Sequence, residues 1–379
     1  MRITINPEVL QWAIDRSGIA ESLYEKFPKL VEWLTMETQP TFRQIEKFSR
    51  AANVPFGYMV LDAPPDDSLP IPHYRTLKNK ELPRTSPNLF ETVISIMGRQ
   101  EWLRDFLIER GGEPLGYVGS VKPNQSVKDI ATEIKATLKL ENGWASRENT
   151  WQGALKLLHA KMEKVGIQVV VNGIVGNNTS RVLDPNEFRG FVLVDEYAPF
   201  VFVNGADYKA AQMFTLAHEL AHVWLGSSAA FDLRQMQAAE NDTEQLCDQI
   251  AAEFLVPGEE LGQLWNEIKD KENPFQDIAR TYKVSSIVGA RRVLDLGLID
   301  KTQFFEFYDV WKADQDRFKK NRKPGGQFYL NQPYRAGRKF TEAVVIASRE
   351  GSLLYRDAYN LTGLYGKTFD KFVTETLGI

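Results

Sequence analysis

The chain has 379 residues, 43% hydrophobic and 25% charged, with 26 Gly and 18 Pro; this is globular composition and excludes a collagenous, low-complexity or disordered polymer. Its 46 basic and 50 acidic side chains leave a net charge of −4, which argues against a dominant nucleic-acid-binding surface. One cysteine, Cys247, excludes an intrachain disulfide scaffold and fits a reducing, cytoplasmic setting, while the start MRITINPEVLQW lacks a secretory core and no apolar run is long enough to span a membrane.

In chain order, residues 1–63 read as short helices. Leu10, Ala13 and Ile14 have helical spacing, Ile19 to Phe27 adds a turn or two, and Thr41 to Ala52 forms a third helix behind Pro40. The proline-rich stretch within 64–86 predicts an extended connector. Helices follow over Pro87 to Glu109, Ile130 to Leu140 (with Ser126 at its start) and Trp151 to Val165. Three strand candidates come next: Ile167 to Val171, Gly190 to Val194 and Pro199 to Val203, the last two joined as a hairpin through Asp195–Ala198. A helix of about twenty residues starts at Asp207. Beyond Pro257 the chain is expected to be helical, interrupted by the loop Lys323-Pro324-Gly325-Gly326. This divides the chain into 1–63, the connector 64–86, a unit 87–260 with its core in 150–260, and a helical region 261–379. The fold class is α+β, mostly helical, with a small, mainly antiparallel sheet.

The helix after the hairpin contains Ala217-His218-Glu219-Leu220-Ala221-His222, an HExxH pattern. Residues four apart share a helix face, so His218 and His222 can reach one ion, and imidazole pairs of this kind suit Zn2+. Glu219, turned about 100° away, is placed to serve as a general base. With only four histidines in the chain, a chance match is rare. The apolar flanks Phe214, Leu216, Leu220, Val223 and Trp224 describe a buried helix, where unpartnered imidazoles would be costly. A third ligand must come from another element. Glu244 opens an amphipathic segment whose stripe is Cys247, Ala251, Phe254 and Leu255, and Asp248 stands one turn further along, placed to accept the second ring N–H of a ligand histidine. The strand Gly190–Val194, with Gly190, Val192 and Val194 as its candidates, is expected to border the zinc as an edge on which an extended peptide could add, an interior strand being the alternative. Isolated His159 reads as structural. His73 has no assignable partner. Tyr208, Arg75 and Tyr282 are conceivable oxyanion stabilisers.

The stretches FTLAHELAHVWLG (214–226) and EQLCDQIAAEFLVP (244–257) resemble the ImmA/IrrE family of zinc metallopeptidases. The likeness extends to RGFVLVDEYAPFVFVNGADYKAAQ (189–212), IPHYRTL (71–77) and PTFRQIEKFSRAANVPFGYMVL (40–61). It implies a zincin-like central domain, with His218, His222 and Glu244 as zinc ligands and Glu219 as base. It also implies an endopeptidase that cleaves a regulatory protein such as a repressor, in phage, mobile-element or stress control. Many relatives carry an N-terminal helix-turn-helix, and some resemble antitoxins or regulators encoded beside a toxin. Cys247 departs from the pattern, which usually has a small apolar residue there; inert packing is the favoured reading over a redox or zinc-inhibitory one.

The rival function is a DNA-binding transcriptional regulator or antitoxin that uses the same fold to bind DNA or a toxin with little turnover. Its support is mixed. Residues 1–60 hold seven basic and seven acidic side chains, and the expected recognition stretch Pro28–Thr38 carries Glu32 and Glu37 against Lys29. A second helix-turn-helix pattern, Asp277 to Leu294 with Arg291 and Arg292, is preferred as a helical part of the peptidase. The basic stretch 311–350, with Trp311, Phe318, Phe328, Tyr329 and Tyr334 interleaved, is preferred as a solvated helical face over a nucleic-acid grip. No membrane partner is expected.

Overall fold

The structure, a computed structural model, describes residues 2–66, 85–122, 124–227, 229–231, 242–320 and 328–374. Most of the proline-rich connector, with His73 and Arg75, and the Lys323–Gly326 loop lie outside the described residues. The chain divides into two compact units, Met1–Pro70 with Arg75–Ile94, and Ile71–Tyr74 with Ser95–Ile379.

The first unit begins with helices α1 (Pro7–Ser17), α2 (Ala20–Lys26), α3 (Leu30–Leu34) and α4 (Phe42–Ala52), then a 3-10 turn at Phe56–Val60. Local chemistry sets the boundaries. Asn6 accepts from the Glu8 amide at 2.8 Å and Pro7 occupies the first turn, while Gly18 closes α1 in the left-handed region at φ 68°. Thr41 and Gln44 form a reciprocal capping box at the start of α4. Leu10, Ala13, Ile14, Leu23, Leu30, Trp33, Ile45 and Phe48 fill the core between these helices. The stretch expected to hold a recognition helix forms only the five residues of α3, and Glu32 accepts from the Thr38 hydroxyl at 3.0 Å.

Helix α5 (Pro87–Glu109) leads to α6 (Val127–Thr137), α7 (Trp151–Lys164) and strand β1 (Gln168–Asn172). A short hairpin of β2 (Ile174–Val175) and β3 (Asn178–Val182) stands apart from the main sheet, which comprises β1, β4 (Gly190–Leu193), β5 (Phe200–Asn204) and β6 (Ala229–Phe231). The expected hairpin is present, with Gly190 opposite Val203 and Leu193 opposite Phe200. The sheet order is β1-β5-β4-β6; β1 pairs parallel to β5 and the other two pairings are antiparallel. Every residue of β4 and β5 is buried, which explains their unbroken apolar runs, since both faces of these strands are covered. Helix α8 (Lys209–Leu225) packs against β4 and β5, and α9 (Asp242–Leu255) lies against α8.

The remainder is helical: α10 (Gly258–Ile268), α11 (Pro274–Tyr282), α12 (Ser286–Asp295), α13 (Lys301–Lys320), α14 (Phe328–Ala336), α15 (Arg338–Arg349), α16 (Tyr355–Thr362) and α17 (Lys367–Phe372). The α11–α12 turn has Lys283 at φ 55° and Ser285 as N-cap. Arg292 is spent internally, paired with Glu253 and donating to the Val256 carbonyl at 3.0 Å, and Arg291 pairs with Asp295. Among the described residues no helix is long and apolar enough to cross a membrane.

Candidate metal centre

Helix α8 is buried on nearly all sides from Gln212 to Trp224, as expected of a helix with little polar face. Its C-terminal end is held firmly. Gly226 terminates it at φ 73°, the Val223 carbonyl accepts from Gly119 at 3.0 Å, and the Trp224 carbonyl accepts from Val121 at 3.2 Å. These bonds occupy carbonyls that a helix end otherwise leaves open. Tyr117, on the same segment, stacks on Trp224 at 4.6 Å. The close approach explains Gly226, where a Cβ would stand 3.0 Å from the Gly119 Cα.

The expected ligands converge. His218 Nε2 is 3.1 Å from His222 Nε2 and 3.1 Å from Glu244 Oε2, and His222 Nε2 is 3.4 Å from Glu244 Oε1. Donors placed 2.0–2.1 Å from one tetrahedral ion stand about 3.3 Å apart, so the three fit a common divalent metal. The outer nitrogens are also engaged: His218 Nδ1 meets Asp248 Oδ1 at 2.9 Å and His222 Nδ1 meets Ser227 Oγ at 3.1 Å. Glu244 and Asp248 therefore do share the face of α9 that meets α8. Ser227 was missed by sequence reasoning; its only local signal is a hydroxyl five residues beyond His222, just after the helix-ending glycine. The cluster attracts positive charge. Burial acts to lower the His218 pKa, yet its hydrogen bonds to Asp248 and Glu244 outweigh that and raise it to about 10. Burial works upward on Glu244, but hydrogen bonds from both histidines hold it well below the usual carboxylate range.

Glu219 is fully buried, and among the described residues neither carboxylate oxygen has a hydrogen-bond partner. Such a group normally finds one. Burial raises its pKa well above the ordinary value; His218 opposes the shift and Glu244 adds to it. Gly190 makes room for this carboxylate: a Cβ there would meet Thr215 Cγ2 at 2.6 Å, the Phe202 carbonyl oxygen at 2.8 Å and Glu219 Oε1 at 3.1 Å.

The expectation that Gly190, Val192 and Val194 offer a free edge is corrected. Gly190 and Val192 pair with Val203 and Val201 of β5 on one side and with Phe231 and Ala229 of β6 on the other, and Val194 lies one residue past β4. Between Gly190 and Val192 the ladder is already occupied on both sides. Tyr208 is the N-cap of α8, ten residues before His218 and about 15 Å along the axis, so it is not brought to the metal donors; Tyr282 ends α11, buried in the core. His159 is structural, bonded to the Val169 carbonyl at 3.1 Å. Cys247 is buried in the α8–α9 seam, its sulfur within 4.8 Å of the His218 and His222 donors. Burial first, then Glu244, Glu219 and Asp248, push its thiol pKa far up.

Residues 336–375, spanning α15 to α17, match the model of a domain of unknown function, DUF8813. No match was found among curated proteins or solved structures. The candidate metal centre falls inside the other match: residues 162–294, which carry both histidines, Glu219, Glu244 and Asp248, match the model of the IrrE N-terminal-like domain, Peptidase_M78.

Proposed function

We propose that this protein is a zinc-dependent endopeptidase that cleaves a specific regulatory protein, such as a repressor, in phage, mobile-element or stress control. The observation that carries the reading is Glu219, buried without a hydrogen-bond partner next to three donors spaced for one ion. Two imidazoles and one carboxylate are the donor set of catalytic zinc sites that leave a position open. Zinc bound there supplies Lewis acidity, polarising a substrate carbonyl and easing deprotonation of water.

The chain's own residues do the rest. Glu219 takes the proton from the attacking water as oxygen adds to the carbonyl carbon, and returns it to the leaving amine as the C–N bond breaks. Asp248 and Ser227 fix the planes of the two imidazoles. Gly190 leaves the space in which Glu219 can approach the reacting atoms. The test is digestion of the regulator encoded beside its gene by the purified chain, compared with Glu219→Gln. The variant is expected to keep its metal and lose about 10²–10⁴-fold in cleavage rate; undiminished cleavage would overturn the assignment.

A further inference from the structure

Cys247 stands where sequence reasoning expects a small apolar filler, yet its surroundings are not merely apolar. It lies on α9 one turn past Glu244 and one residue before Asp248, on the face that meets α8. Its sulfur is buried, and together with one ring nitrogen each of His218 and His222 it forms a group whose donor atoms all lie within 4.8 Å of one another. A sulfur at 2.3 Å and a nitrogen at 2.0–2.1 Å from one tetrahedral ion stand about 3.6 Å apart. Donor atoms held no more than 4.8 Å apart are close to that spacing. A second buried group stands at the same centre: Glu219, next to His218 in sequence, is wholly inaccessible, and among the described residues neither of its carboxylate oxygens has a hydrogen-bond partner. Burying a carboxylate and a thiol together beside two imidazoles is costly unless a cation joins them.

We propose that Cys247 is a fourth, displaceable donor to the metal at this centre, giving the site a closed two-histidine, one-glutamate, one-cysteine form alongside the open three-donor form. The proposal rests on the reading of His218, His222 and Glu244 as ligands and adds the regulation of that site. In the closed form the thiol gives its proton to solvent and a sulfur lone pair fills the position otherwise left for water; the reverse exchange restores both. No electron is transferred and no oxidant is needed. A divalent ion deprotonates a coordinating thiol outright, and four protein donors are the mark of structural rather than catalytic zinc sites. The closed form is thus latent, and the ions it favours are thiophilic: zinc, cobalt and cadmium.

The test is cobalt substitution of the full-length chain. A thiolate bound to Co2+ gives an intense near-ultraviolet charge-transfer band that nitrogen and oxygen donors do not. With one cysteine in the whole chain, the band has a single possible source. The expected result is one cobalt per chain with this band, and loss of the band in both Cys247→Ala and Cys247→Ser while one cobalt remains bound. Stoichiometric cobalt without the band, or a band that survives in Cys247→Ala, overturns the proposal and leaves the three-ligand reading intact. Failure of the wild-type chain to take up cobalt overturns the three-ligand reading and the proposal with it.

Discussion

Two histidine–carboxylate clusters lie within the same unit and behave in opposite ways. On α7, His159 and Glu163 are 5% and 9% exposed, with His159 Nδ1 3.7 Å from Glu163 Oε2. On α8 and α9, His218 is fully buried against Glu244 and Asp248. Burial lowers the His159 pKa to about 4 despite a bond to the Val169 carbonyl, and burial raises Glu163 to about 7. Burial thus disfavours the charged form of both members; against it, Glu163 Oε1 accepts the Arg338 amide at 3.1 Å at the start of α15, while Tyr334 packs edge-on against His159. Burial is comparable in the two places, so burial does not distinguish a structural histidine from a metal ligand. What differs is convergence. At His159 each nitrogen faces a different partner, whereas at His218 and His222 two inner nitrogens face each other with a carboxylate closing the triangle.

The sharpest way to break this contrast is Glu244→Ala. Removing the carboxylate that closes the triangle is expected to take the metal content from one per chain to near zero after gel filtration, read by elemental analysis. If the metal remained, the ligand set would need another donor in place of Glu244. Next in size is the pH dependence of the α7 pair. Glu163 has a folded pKa above its unfolded value, so its contribution is present below about pH 4.5 and is lost as pH rises toward 7. His159 has a folded pKa below its unfolded value, so its contribution grows as pH rises from 4 to 6.5. Across that window the two nearly cancel. Glu163→Gln should unmask the histidine, with stability climbing by up to about 3 kcal/mol between pH 4 and 6.5, measured by denaturant melts at a series of pH values, and with metal content unchanged. A flat profile in that variant would place the His159 proton elsewhere. Third comes Asp248→Asn. Partners of this kind are worth about 10–100-fold in metal affinity, and the loss should show in competition with a chromogenic chelator while the α7 pair is undisturbed.

The centre was legible because its spacing is local. His218, Glu219 and His222 lie within two turns of one helix, and Glu244 and Asp248 share a face of the next, so helical periodicity alone aligns them. The β4–β5 hairpin was legible from two apolar runs around a four-residue link. Other features depend on contacts between distant segments. The parallel pairing of β1 with β5 has no local signature, and β6 is three residues, Ala229–Phe231, too short to show alternation. Its pairing with β4 is what turned the expected edge into an interior strand. The β2–β3 hairpin does carry a turn signal in Gly176-Asn177, but β3 is largely exposed and polar, leaving no apolar pattern to read. Gly190 looks like an ordinary strand residue until Thr215 and Glu219 are seen against its Cα.

Ser227→Ala is expected to have the smallest effect, and it bears on why the two histidines of the candidate centre are held differently. His218 Nδ1 meets a carboxylate and His222 Nδ1 meets a hydroxyl. A hydrogen bond to an ionised acceptor is roughly twice as strong as a neutral one, and a carboxylate also raises the basicity of the ring it holds. A hydroxyl supplies orientation alone, and His222 has other restraints on its orientation: it is wholly buried, and its ring packs edge-on against His218 at 4.9 Å. Ser227→Ala should therefore lower metal affinity by less than about tenfold, below the range expected for Asp248→Asn, with both read in the same chelator competition. If the serine variant proved the weaker binder, ring orientation at His222 would matter more than charge at His218, and the contrast between the α7 pair and the metal centre would rest on geometry rather than on the number of carboxylates.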